Sequence, residues 1–121
     1  MQDIQDIKKS TECICKALYD HKAYDIIVME TAEKTIIADY FIVCDGRSTI
    51  QVKTLSDEVE KAMKNTLGVN ILRQEGYSEG RWIVLDYGSV LVHIFHQEER
   101  EFYNLERLWL DENNFWKYPE E

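Results

Sequence analysis

Apolar positions along the chain alternate between helical and extended spacing. From residue 4 to 21, Ile4, Ile7, Ile14, Ala17 and Leu18 lie close to one helical face, which predicts a helix ending near His21-Lys22, where positive charge suits the carbonyl end. Asp25-Ile26-Ile27-Val28-Met29-Glu30 is a short continuous apolar run, the pattern of a strand buried on both faces. A charged link, Thr31 to Ile37, leads to a second strand over Ala38–Cys44, and so short a link predicts an antiparallel pair. Ser48 is a candidate N-cap for a helix carrying Val52, Leu55, Val59, Ala62 or Met63, and Leu67, with Gly68 as its stop. Val69 to Gln74 reads as a third strand, parallel to one of the first two because a helix-length crossover precedes it.

The most informative stretch runs from Trp82 to Phe95. Gly88-Ser89 between two β-branched runs is a two-residue hairpin signal, since glycine supplies the positive φ such a turn requires. With that turn, Trp82 lies opposite Phe95, Val84 opposite His93, and Tyr87 opposite Val90. Side chains alternate across a strand, so both faces can be written down. Ile83, Leu85, Tyr87, Val90, Val92 and Ile94 form an aliphatic core face. Trp82, Val84, Asp86, Leu91, His93 and Phe95 form the other. Two large aromatics with a histidine and a carboxylate are the composition of a binding surface. The same composition also fits a second core layer under a helix, with Asp86 and His93 as satisfied polar groups.

Beyond the hairpin, Glu98 to Trp109 reads as one helix with Phe102, Leu105 and Trp109 facing inward. Arg100, Tyr103 and Arg107 share a neighbouring stripe, either a solvated face or a rim of contacts. Leu110 to Glu121, with Phe115, Trp116 and Tyr118 among acids, reads as a loosely docked end. The order α-β-β-α-β-β-β-α predicts a single α/β (α+β) domain over residues 1–112, a mixed five-stranded sheet with three helices, followed by an acidic, aromatic tail at 113–121.

Composition narrows the function. A chain of 121 residues, 45% hydrophobic and 31% charged, can bury a core without disulfides or metals. Three cysteines, an odd number, and no apolar run near membrane-spanning length point to a reducing, cytoplasmic setting with no membrane partner. The N-terminal Met1-Gln2-Asp3-Ile4-Gln5-Asp6 carries no secretory pattern. A net charge of −9 is repelled by phosphate backbones, so broad nucleic-acid binding is not expected and a basic protein is the better partner. His93 and His96, three apart on a strand, point to opposite faces and cannot chelate together, and Cys13 and Cys15 diverge on a helix. No metal or cofactor is expected.

Gly46-Arg47-Ser48, at a helix start after a strand, resembles the phosphate-holding turn of nucleotidyltransferases. That chemistry needs paired carboxylates holding two metal ions about 4 Å apart, and Val69 to Gln74, which should supply them, contains no acid. The enzyme reading would have to use Asp39, Asp45 or Asp86 for metal.

Taken together, Ala38-Asp39-Tyr40-Phe41-Ile42-Val43, Gly46-Arg47-Ser48, Glu75-Gly76, the Trp82–Gly88 and Val92–Phe95 segments, and Glu99-Arg100-Glu101-Phe102-Tyr103-Asn104-Leu105-Glu106-Arg107-Leu108-Trp109 resemble the ribosomal silencing factor (RsfS, or Iojap) family over about residues 5 to 112. Ser89 and Gln51 depart from the usual aspartate and histidine at their positions. The resemblance implies a nucleotidyltransferase-like fold without the catalytic acid pair and without catalysis. It also implies binding to the large ribosomal subunit through ribosomal protein fourteen, where the small subunit docks, so that subunit joining is blocked, with a related role in late large-subunit assembly. On this reading Trp82 is the aromatic anchor with Leu91 and Phe95 beside it, Asp86 and His93 orient the partner, and Arg100 and Tyr103 lie at the rim. A homodimer burying the aromatic hairpin against itself is a further expectation.

Overall fold

In the computed structural model, residues 4–120 are described. Residues 1–3, part of the N-terminal stretch read for a secretory pattern, residue 121 of the tail, and the side chains of Ile4 and Gln5 lie outside the described set. α1 (Ile4–Asp20) is followed by β1 (Tyr24–Glu30), β2 (Tyr40–Gly46) and α2 (Thr49–Ala62), which ends in a π-helical turn, Met63–Leu67. Then come β3 (Arg73–Glu75), β4 (Trp82–Asp86), β5 (Val90–His96), α3 (Gln97–Tyr103), α4 (Glu106–Trp109) and β6 (Phe115–Tyr118). The six strands form one sheet in the order β3-β4-β5-β2-β1-β6. Only β2 and β5 run parallel; the other neighbours are antiparallel.

The hairpin forms in the expected register: Trp82 pairs with Phe95, Val84 with His93, and Asp86 with Leu91. Tyr87 N–H donates to Val90 O across the turn at 3.0 Å, and Gly88 takes φ +85°, where a side chain would be strained. β1 and β2 are antiparallel neighbours as expected. The first turn of α2 is closed by a reciprocal pair: Ser48 Oγ accepts from Gln51 N–H at 3.0 Å, and Gln51 Oε1 accepts from Arg47 N–H at 2.8 Å. Gly68, at φ 67°, ends the helical run.

Four expectations are corrected. The sheet has six strands rather than five, because the tail is no loose end: β6 pairs antiparallel with β1, placing Trp116 beside Val28. The described residues hold four α-helices rather than three, because Asn104 adopts a left-handed conformation (φ 46°, ψ 55°) and divides the expected Glu98–Trp109 helix into α3 and α4. Phe102 therefore does not face inward and is 81% exposed. Finally, Val69 to Gln74 is not a parallel strand; only Arg73–Glu75 is extended, at the sheet edge and antiparallel to β4. The parallel partner of β2 is β5, so the crossover contains α2 and the first arm of the hairpin.

α1 and α2 cover one face of the sheet, burying Ile14, Leu18, Val52, Leu55 and Val59 against Val28, Ile42, Ile83, Leu85, Val92 and Ile94. On the opposite face a smaller cluster, Met29, Ala38, Phe41, Val43 and Phe95, packs under Leu105, Trp109, Leu110 and Phe115.

Candidate functional site

The outer face of the hairpin is neither an open binding plate nor a sealed core. It is an aromatic stack with a buried base and an accessible tip. Phe95 is fully buried and His93 nearly so. The Trp82 indole stacks on Phe95 with ring centroids 4.7 Å apart and lies 5.0 Å from the Tyr103 ring. Beneath, Phe41 contacts His93 at 5.1 Å and Trp109 at 5.6 Å. Trp82 remains half-buried, Tyr103 is exposed, and Phe102 meets Tyr103 edge-on at 5.0 Å.

One hydrogen bond sets the chemistry of this stack: Trp82 Nε1–H donates to His93 Nδ1 at 3.2 Å. Indole can only donate, so Nδ1 must be the unprotonated nitrogen and the imidazole proton resides on Nε2. Burial pushes His93 down to about 4, so the ring is neutral at physiological pH. Nε2 is buried and has no hydrogen-bond partner among the described residues. His93 thus fixes the indole plane from below.

The remaining site candidates separate. Leu91 and Asp86 are half-buried on the same face, but Asp86 Oδ1 accepts from Gly88 N–H at 2.8 Å and so stabilises the turn. Arg100 is not at the rim. Its guanidinium is buried, donating to Asp45 Oδ1 at 2.9 Å, Glu106 Oε2 at 3.1 Å and Tyr24 O at 3.2 Å. Only Tyr103 of the expected rim pair is on the surface. Sequence reasoning missed Phe102 and Leu108, which are 81% and 71% exposed. The signal was Asn104, a residue that tolerates the left-handed conformation and so breaks the apolar period there.

The nucleotide-binding alternative finds little support. Of the amides around this turn, that of Gln51 is engaged by Ser48 Oγ and that of Arg47 by Gln51 Oε1, and a Cβ on Gly46 would meet Gln51 Oε1 at 3.2 Å, so the Gln51 side chain occupies part of the turn. The three candidate acids are also dispersed. Asp86 pairs with Leu91, which pairs with Phe41, so Asp86 sits level with Phe41 and two strands across, while Asp45 is four residues, about 13 Å, further along β2. Asp39 precedes the far end of β2. They cannot share a pair of ions about 4 Å apart. His96, Glu98 and Glu99 approach one another within 4.8 Å. Arg81 already lies among them, its Nη2 2.7 Å from Glu98 Oε1 and 2.6 Å from Glu99 Oε1. In the Cys13-x-Cys15 pair, burial raises both thiols, keeping them protonated.

Comparison with known proteins places the chain in a family. A family model described as "Ribosomal silencing factor during starvation" matches residues 4–120. The protein named ribosomal silencing factor RsfS in Halalkalibacterium halodurans is 41% identical over 95 residues, covering 78% of this chain and 80% of that protein. The mouse protein named mitochondrial assembly of ribosomal large subunit protein 1 is 28% identical over 104 residues, 84% of this chain and 46% of its own length. A crystal structure of a Chromobacterium violaceum protein superposes with a TM-score of 0.82 at 33% identity, covering 93% of this chain and 92% of that one. With its stacked Trp82 hairpin and a match running almost end to end, this chain belongs to the ribosomal silencing factor family.

Proposed function

We propose that the protein represses translation by binding the large ribosomal subunit through ribosomal protein fourteen and sterically blocking attachment of the small subunit, with a further role late in large-subunit assembly. It acts by occupancy and not by catalysis. The relatives' names support the ribosomal target. The observation that carries the binding mode is the Trp82–Tyr103 tip held on a buried Phe95–His93 base. Rigid aromatic anchors with a desolvated foundation dominate interface energetics. Leu91 and the outlying Phe102 extend the apolar surface on either side. The net charge of −9 matches a basic ribosomal protein.

The test is co-sedimentation with purified large subunits in sucrose gradients. Trp82→Ala and Tyr103→Ala should each remain folded and lose affinity. A central anchor is worth about 2 kcal/mol or more, roughly a thirtyfold weakening. Undiminished co-sedimentation of both variants would reject this face. If the same face also mediates a homodimer, gel filtration with added ribosomal protein fourteen should show the dimer giving way to the heterocomplex.

A further inference from the structure

On the same side of the sheet as α3 and α4, a cleft of about 600 Å³, lined by neither Trp82 nor Tyr103, opens beyond the C-terminal ends of the parallel strands β2 and β5. Such ends, where connections depart from neighbouring parallel strands, are favoured ligand positions in sheets of this kind. Its deepest charged groups form a buried chain. Arg100 sits between Asp45 and Glu106, bonded to one oxygen of each. The other oxygen of each acid, Asp45 Oδ2 and Glu106 Oε1, is buried with no hydrogen-bond donor among the described residues.

Those two orphan atoms decide the chemistry of a ligand. An ionised carboxylate oxygen only accepts, so the complement is a donor. The sign follows from the lining. Asp25, Asp45, Glu101 and Glu106 face Arg47, Arg100 and Lys117, leaving one uncompensated negative charge. An anionic ligand would add to that excess, whereas a group carrying one positive charge, exchanged for that of Arg47, leaves it unchanged.

The protein already lays one of its own cations across this position, and does so poorly. Arg47 Nε is 3.4 Å from Asp45 Oδ2, an ion pair without a hydrogen bond, while its guanidinium lies 3.8 Å above the Tyr24 ring. Its side chain is 43% exposed, so it can swing away into solvent. Tyr24 would then offer its ring face and Asp45 its free oxygen to an incoming planar cation, the combination that recognises guanidinium.

We propose that this cleft is a seat for one alkyl-guanidinium or alkyl-ammonium group, with Asp45 and Glu106 as acceptors, Tyr24 as the stacking face and Arg47 as a displaceable occupant. The group is carried either by a small amine or by an Arg or Lys side chain of a basic protein. This goes beyond the ribosomal reading and does not depend on it.

The experiment is an amide-shift titration of the full chain with methylguanidinium, with sodium chloride and sodium phosphate as controls. Wild-type protein should show saturable shifts confined to residues around Asp45, Arg100 and Glu106. Arg47→Ala, which vacates the seat, should bind about tenfold more tightly, a gain that structural damage cannot imitate. Adding Glu106→Gln to Arg47→Ala should abolish the gain, while the amide oxygen introduced there still accepts from Arg100. Agmatine and N-acetyl-arginine methylamide then distinguish the sources: preference for agmatine indicates a free amine, and preference for the latter a protein side chain. Binding by Arg47→Ala no tighter than wild type, shifts scattered over the acidic surface, or phosphate moving the same amides would each overturn the proposal. Loss of ribosome binding by Trp82→Ala would leave these shifts unchanged, so the two readings fail separately.

Discussion

His93 shows how far a single residue's meaning depends on its cover. Strand alternation correctly places it beside Trp82 and Phe95, but parity tells which side chains share a face and not what lies above them. Folding removes the imidazole from water, so its pKa falls from 6.5 to about 4. The unfolded chain therefore binds a proton that the native state refuses between those values. Stability from this site is fully present above pH 6.5, declines as pH falls through that window, and has no further to fall below about 4. The full effect is on the order of 3 kcal/mol. His93→Gln, which cannot titrate there, should show a shallower fall in denaturation midpoint than wild type between pH 6.5 and 4.5. Parallel profiles would mean that burial does not depress the His93 pKa.

At the scale of elements, the sequence was legible wherever a local signal sufficed. Ser48 and Gly68 bound a helix because their caps are chemical, and Gly88 makes the turn because its φ demands it. What stayed hidden depended on distant partners. Nothing local announces that Phe115–Tyr118 will pair with β1 across more than eighty residues, or that β2 will skip β3 and β4 to run beside β5. Asn104 lies between these cases, a local signal easily overruled by the apolar period around it. Its conformation sets where α3 stops and thus whether Tyr103 reaches Trp82. Asn104→Gly should cost little, because glycine enters that region freely. Asn104→Val should destabilise by about 1–2 kcal/mol in urea unfolding and weaken large-subunit binding with it. Equal stability of the two variants would show that the break between α3 and α4 does not depend on residue 104.

For the molecule as a whole, the proposed binding mode divides recognition between charge and shape. Twenty-three acids against fourteen lysines and arginines give a net negative field that reaches beyond any one contact, whereas on the proposed reading the aromatic tip acts only after the surfaces meet. Long-range attraction to a basic partner governs encounter and is screened within about 8 Å at physiological ionic strength. Desolvated aromatic contacts instead govern how long the complex lasts. The two contributions should therefore separate in a surface-capture experiment with immobilised ribosomal protein fourteen. Raising salt should slow association and leave dissociation nearly unchanged, while Trp82→Ala should speed dissociation roughly thirtyfold and leave the salt slope of association intact. Should Trp82→Ala instead flatten the salt dependence, the indole would be acting through the charge distribution rather than as an anchor. Should salt act mainly on dissociation, the contact would be a buried ion pair, and the acidic surface rather than the hairpin would hold the partner.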